Sequence, residues 1–295
     1  MIVRAGRGSL HPRWLEGADT PRFDLLVAAY EEGAESSSQY QSSLIHIPGS
    51  KIAGYHQLFR QRPELLDQYE YFGLFDDDLL TTAGDINRLF ALGKAHGLNL
   101  FQPALSWDSY FSYAATLANP GQFQLRYTNT VEMMCPVFSR DYLRRALPLF
   151  GLGYETGIDL IWARLSNDPW FRYAIIDAVA VTHTRAVGST KDQQGFDADK
   201  GYEAQISEVL DRFGATFRGY VTYGGIDRQG RRVVSRQLMA WHSLSVWGAW
   251  RSTPLPLRIF ARFVTDYTRH CVTRPLNLEQ ICGALRGASD AHSRY

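Results

Sequence analysis

Short apolar runs alternate with stretches of helical periodicity through the first two-thirds of the chain, and this alternation limits the fold more than any other feature. Apolar runs of strand length cover residues 2–5, 23–30, 43–47, 69–75 and 98–105. The intervening residues 52–69 and 84–96 carry apolar side chains at helical spacing, with Pro63 and Gly97 as a break and a stop. Strands that alternate with helices are typical of an α/β layer structure with a largely parallel sheet.

The pattern continues with an extended stretch at 122–138, helices at 140–150 and 158–165, and a strand at 173–184. Composition changes near residue 190, where a polar segment leads into a region rich in arginine, tryptophan and proline. We therefore expect one domain at 1–190 and a mainly helical extension at 191–295. The extension is predicted to contain a hairpin near 227–230 and a basic, aromatic helix at 257–271.

The overall charge excludes several classes of partner. The 31 basic and 30 acidic residues give a net charge of +1, so no bulk field attracts nucleic acid or an anionic membrane.

Arg4 and Arg7 interrupt the N-terminus where a signal peptide needs an apolar stretch, and no apolar segment reaches the length of a bilayer span. Three cysteines without CxxC spacing favour buried thiols in a reducing compartment. These features predict a soluble, cytoplasmic protein without nucleic-acid partners.

Three aspartates, Asp76, Asp77 and Asp78, follow the apolar run at 69–75, at the edge where open α/β sheets hold their ligands. Alternation along an extended segment directs Asp76 and Asp78 to one side and Asp77 to the other. Two converging carboxylates repel each other unless a cation lies between them, and hard oxygen ligands favour Mg²⁺ or Mn²⁺. His183 ends a later strand and is a candidate third ligand. The alternative is that the aspartates cap the following helix and that His183 only ends its strand.

Several segments together resemble one family. They are YEYFGLFDDDL, FQPALS, TVEMMCPVFSR, GIDLIW and AVTHTRAVG, spread over residues 69–188. This set is similar to the family called domain of unknown function 707, whose plant members carry a D-E-D triplet, QPAL and VEMMAPVFSR. That family in turn resembles A-type glycosyltransferases, which use a nucleotide sugar and a DxD-bound metal. The resemblance implies a single Rossmann-like mixed sheet and assigns Asp76, Asp78 and His183 to the metal.

The donor site is expected where the first strand ends. In the turn RAGRGS, Gly6 lets the backbone approach a ligand and Arg4 is available to a phosphate, unless the segment is only a tight turn. Lys51 begins a predicted helix, where a lysine and free amides favour the diphosphate, although a solvated lysine is an equal alternative. With Asp76 and Asp77, these residues form the expected donor site.

An inverting transfer needs a carboxylate that takes the proton of the acceptor hydroxyl. By the resemblance to A-type transferases, Asp159 in GYETGID is the first choice for this base and Glu155 the second; each is otherwise a helix-start acid. Glu132 in VEMM either binds a sugar hydroxyl or pairs with an arginine.

Two features of the extension have open alternatives. Four arginines near the hairpin either receive an anionic acceptor or form a solvated face; they are Arg228, Arg231, Arg232 and Arg236. The helix at 257–271 places Leu257, Phe260 and Val264 against three arginines, and it either rests on a membrane surface or packs on the main domain; the arginines are Arg258, Arg262 and Arg269.

These observations predict a metal-dependent glycosyltransferase that moves a sugar from a UDP- or GDP-linked donor to a glycan or small-molecule acceptor. The alternatives are a nucleotide- or sugar-binding module without turnover and a metal-dependent phosphohydrolase, which needs more metal ligands than the sequence offers.

Overall fold

The computed structural model describes residues 1–34, 42–119, 121–165, 172–186 and 201–276. Its eleven strands form a single mixed sheet. The strands are β1 (Ile2–Ala5), β2 (Leu25–Ala29), β3 (Ser42–His46), β4 (Tyr71–Asp76), β5 (Leu79–Leu80), β6 (Leu100–Leu105), β7 (Phe123–Thr128), β8 (Val137–Ser139), β9 (Tyr173–His183), β10 (Thr222–Asp227) and β11 (Arg232–Val234). The α-helices are α1 (Lys51–Gln61), α2 (Leu65–Gln68), α3 (Ala83–Ala95), α4 (Arg140–Phe150), α5 (Tyr202–Arg212), α6 (Arg236–Ser243) and α7 (Leu257–Thr273).

The strand order creates a crevice at the end of β1. The order is β11-β10-β7-β9-β6-β8-β4-β1-β2-β3, with β5 paired to β9 outside this path. From β1 the chain continues outward through the parallel strands β2 and β3, then returns through α1 and α2 to β4 on the other side of β1. Open α/β sheets bind ligands at such a switch point, outside the carboxyl ends of the strands.

Helices cover both faces of the sheet, because the strands are apolar on both sides. On one face, α1 and α4 bury residues such as Tyr55, Leu58 and Leu143 against β2 and β4. On the other face, α3, α6 and α7 bury residues such as Leu89, Met239 and Phe260. Alternation along β1 sends Val3 to the second face and its neighbours to the first. The predicted α/β class is thus confirmed.

The C-terminal part contributes strands to the sheet as well as helices. The strands β10 and β11 form the predicted hairpin, and β10 pairs with β7 in an antiparallel register. Among the described residues, no helix has the length and apolar content needed to cross a membrane.

Two predicted elements differ from the structure. The extended stretch at 122–138 is divided into β7 and β8, with an irregular segment between them. The predicted helix at 158–165 is instead two short 3₁₀ turns, Ile158–Leu160 and Trp162–Arg164. Gly157, with φ +85°, precedes the first turn, and only a glycine adopts this conformation without strain.

Candidate functional site

The three aspartates follow β4 at the crevice, and their side chains diverge as alternation predicts. Asp77 turns toward β1, where its Oδ2 accepts hydrogen bonds from the Gly6 amide at 2.9 Å and the Tyr30 hydroxyl at 3.0 Å. Arg185 reaches the other oxygen of Asp77 at 3.4 Å and the carbonyl of Gly8 at 3.1 Å. Hydrogen bonds to Asp77 therefore connect the turn after β1 to the turn after β4.

Asp76 lies next to the helix that crosses over from β3. Its Oδ1 is 2.6 Å from the ammonium of Lys51, the first residue of α1. The same ammonium donates a hydrogen bond to the carbonyl of Met133. Burial raises the pKa of Asp76 to about 6, against the opposing effect of Lys51. Lys51 is thus an ion-paired residue of the crevice, and the solvated alternative is wrong.

Asp78 faces the histidine at the end of β9. Its Oδ2 lies 3.3 Å from Nε2 of His183, and β5 pairs with β9 at this point. Nδ1 of His183 lies 3.0 Å from the carbonyl of Tyr110, which can only accept a hydrogen bond, so Nδ1 carries a proton. Nε2 therefore presents either a second proton or a lone pair to Asp78. The contact raises the pKa of His183 although burial alone would lower it.

A second pair of carboxylates lies behind this group. Asp159 and Glu132 are both buried, and burial raises their pKa values to about 6 and about 7. Each is close enough to Lys51 to feel its charge, and the carboxylate of Asp159 further raises the pKa of Glu132. The amide of Met133 donates to the Asp159 carboxylate. The crevice therefore gathers carboxylates from β4, the segment after β7 and the first 3₁₀ turn.

The crevice collects several buried carboxylates, two of which have oxygens without a hydrogen-bond partner among the described residues. Four carboxylates, Asp76, Asp78, Glu132 and Asp159, are close enough to the ammonium of Lys51 to feel its charge, and Asp78 also feels the charges of His183 and Arg185. The buried atoms Oδ1 of Asp78 and Oε2 of Glu132 have no hydrogen-bond partner among the described residues. Buried carboxylate oxygens without partners are costly unless a cation or a ligand satisfies them. Within the described ranges, no three His, Cys, Asp or Glu side chains are grouped as a metal site.

Arg4 has a different role from the expected one. Its side chain shares a face of β1 with Ile2 and is buried against α1, where Gly54 leaves room for the guanidinium. The guanidinium donates to the carbonyls of Ile47 and Gly49, both at 2.7 Å. Arg4 is therefore not available to a phosphate, and it instead holds the segment that leads into α1.

Glu155 is also a structural residue in this conformation. Its carboxylate accepts hydrogen bonds from the amides of Ile52 at 2.8 Å and Ala53 at 3.0 Å, and from the hydroxyl of Ser50 at 2.5 Å. These amides are the free N-terminal donors of α1 that we expected to bind a diphosphate. Glu155 occupies this anion position within the chain, so it is unsuited to act as a base.

The glycine turn after β1 is tight, and its first glycine is needed for packing. A Cβ at Gly6 would lie 2.4 Å from atoms of Tyr30 and Glu31, while Gly8 has φ +76°. Gly6 therefore allows close approach of neighbouring side chains in the structure, in addition to donating its amide to Asp77.

Sequence reasoning missed the aromatic residues beside Glu132 and Asp159. Tyr220 is buried close enough to both carboxylates for their charges to raise its pKa. Its ring lies 4.2 Å from that of Tyr113 and 5.8 Å from that of Phe217, between centroids. These residues come from distant segments with no shared motif, so only the fold reveals the group.

The arginines near the hairpin are not grouped as an acceptor site. Arg231 pairs with Asp227 at 2.7 Å, and Arg236 donates to carbonyls in the last turn of α7. Arg228 and Arg232 are exposed at the hairpin, as on a solvated face.

In comparisons with known proteins, no protein-family model and no curated protein matches the chain.

Proposed function

We propose that the protein is a metal-dependent glycosyltransferase that transfers a sugar from a nucleotide-diphosphate donor to a glycan or small-molecule acceptor. What supports the proposal is the contact between Asp78 and His183 and the position of Asp76, which ends β4 beside β1 and is close enough to feel the charges of both. We further propose that the chain is similar to the domain of unknown function 707 family and has the A-type glycosyltransferase fold. We also propose that it is cytoplasmic and that its donor carries UDP or GDP.

Asp76, Asp78 and His183 would hold Mn²⁺ or Mg²⁺. The unpartnered Oδ1 of Asp78 would fit such an ion, and so would Nε2 of His183 in the neutral form of the ring, in which Nδ1 carries the proton. When bound, the ion would stabilise the charge on the departing diphosphate. Asp76 is paired with Lys51 in the protein alone, so Lys51 would exchange this carboxylate for the donor's phosphate oxygens.

Asp159 is the proposed base. A buried carboxylate with a pKa of about 6 is ionised near neutral pH and still basic enough to take a proton from a hydroxyl. The hydrogen bond from the amide of Met133 fixes its orientation. Glu132 has the higher pKa and therefore keeps its proton to a higher pH than Asp159 does. In this protonated form it would donate a hydrogen bond to the sugar or acceptor.

The test is incubation with a panel of nucleotide sugars and Mn²⁺, followed by chromatography for the free nucleoside diphosphate. Slow hydrolysis of at least one donor that stops when the metal is chelated would support the proposal. Binding of a donor without any turnover would favour the binding-module alternative, and release of inorganic phosphate from simple phosphate esters would favour the phosphohydrolase.

A further inference from the structure

The segment from Trp250, near the end of the 3₁₀ helix Leu244–Arg251, to the first turn of α7 exposes apolar side chains that are not part of the core. Trp250 is 48% exposed, Leu257 56% and Ile259 38%. Arg251 and Arg258, both exposed, lie between them in sequence. We call these five residues the basic-aromatic surface. From the sequence, we expected a membrane contact to include Phe260 and Val264, but both are buried in the core.

The stretch of sequence that contains this surface is basic, with acidic residues only at its two ends, where Asp227 pairs with Arg231 and Asp266 pairs with Arg269. From residue 228 to residue 265 the sequence contains seven arginines and no aspartate or glutamate, although the whole chain is nearly neutral. In the part of the chain that the structure describes, Arg251 and Arg258 form no ion pair. The guanidinium of Arg251 instead lies 4.7 Å from the ring centroid of Trp250. The basic-aromatic surface therefore offers unneutralised cations next to exposed apolar groups.

We propose that the basic-aromatic surface binds the headgroup region of an anionic lipid bilayer. Tryptophan rings are stable at the level of the headgroups, arginines contact lipid phosphates, and leucine and isoleucine enter the acyl boundary. A second copy of the chain is a poorer partner, because a symmetric contact would bring arginines against arginines. The proposal does not depend on the transferase activity.

The helix that carries part of the basic-aromatic surface also contacts the segment next to the candidate site. Phe260, the next residue after Ile259, packs against Phe111 with 6.5 Å between ring centroids. Phe111 follows Tyr110, whose carbonyl orients His183. The helix that carries Leu257, Arg258 and Ile259 is thus packed, through its buried side, against the segment that borders the candidate site.

The experiment is cosedimentation of the full chain with phosphatidylcholine vesicles, with and without about 30% phosphatidylserine, at low and high salt. We expect binding only to the anionic vesicles, weakened by salt. The double variant Arg251→Glu with Arg258→Glu should bind at least about 25-fold more weakly, since each arginine contributes about fivefold. The double variant Trp250→Ser with Leu257→Ser should also weaken binding. Because salt screens charges and leaves apolar contacts in place, this loss should persist at high salt.

Matched controls are Arg60→Glu with Arg88→Glu, which make the same change of net charge on the exposed surfaces of α1 and α3, and Leu44→Ser on β3. These variants should bind the anionic vesicles nearly as tightly as the wild type does. The arginine controls should lose only the small part of the affinity that depends on the net charge of the whole protein. The proposal is overturned if the wild type ignores anionic vesicles, if it binds poly-glutamate instead, or if the controls lose as much affinity as the test variants. Thermal unfolding of every variant separates loss of the surface from loss of the fold.

Discussion

A buried ion pair between Arg126 of β7 and Asp177 of β9 lies inside the sheet, beneath α7. Nε and Nη2 of Arg126 donate to the two oxygens of Asp177 at 2.6 and 2.8 Å. Its remaining hydrogen bonds go to the carbonyls of Ala115 and Leu117 and to the hydroxyl of Tyr267 in α7. Because Arg126 is fully buried, loss of its partner would leave a charge in the core without compensation.

We expect Asp177→Asn to lower the free energy of unfolding by about 3–5 kcal/mol, the cost of breaking a buried ion pair from one side. The amide keeps the volume of the carboxylate, so no cavity contributes to this loss. For a protein of this size the change corresponds to a fall in Tm of about 6–20 °C. Urea unfolding, monitored by tryptophan fluorescence, measures the free energy directly.

The matched control is Asp67→Asn. Asp67 pairs with Arg144 at the same distance, 2.6 Å, but the two side chains are 78% and 44% exposed. An exposed pair contributes at most about 1 kcal/mol, so this variant should be nearly as stable as the wild type. Equal losses in the two variants would refute the reasoning, since the prediction depends on burial and the distances are the same.

Four further predictions concern the crevice. Asp78→Asn and His183→Ala should weaken Mn²⁺ binding, measured by calorimetry, while thermal unfolding of the metal-free protein shows that both remain folded. Asp159→Asn should lower kcat about 10²–10⁴-fold and leave donor binding unchanged; near-normal kcat would remove it from catalysis. Glu155→Gln should cost about 1 kcal/mol of stability as a weakened cap of α1, with kcat retained. Since the pKa of Glu132 rises from 4.5 to about 7 on folding, stability should fall as pH rises through this interval, and Glu132→Gln should reduce that slope.

Local signals in the sequence predict most of the elements. For α3, the hydroxyl of Thr82 accepts a hydrogen bond from the amide of Asp85, and the helix ends just before Gly97, which has φ +58°. Both features are visible in the sequence as a cap and a stop. The alternation that separates Asp77 from Asp76 is equally local.

The roles of single site residues depend on contacts that the sequence does not contain. Glu155 caps a helix that begins more than a hundred residues earlier, so nothing beside it indicates that role. The burial of Arg4 follows from the face it shares with Ile2, but its partners are carbonyls of another segment. Likewise, Lys51 meets Asp76 only because β4 returns beside β1.

The most direct test of the central claim is the thermal stability of the protein with UDP or GDP, with and without Mn²⁺. At a concentration of about a hundred times Kd, the nucleotide should add about 2.7 kcal/mol of stability in the presence of metal. Chelation of the metal, or the Asp78→Asn substitution, should abolish this gain. Absence of a shift with every nucleotide and metal, or an undiminished shift in Asp78→Asn, would contradict a metal-dependent donor site at this crevice.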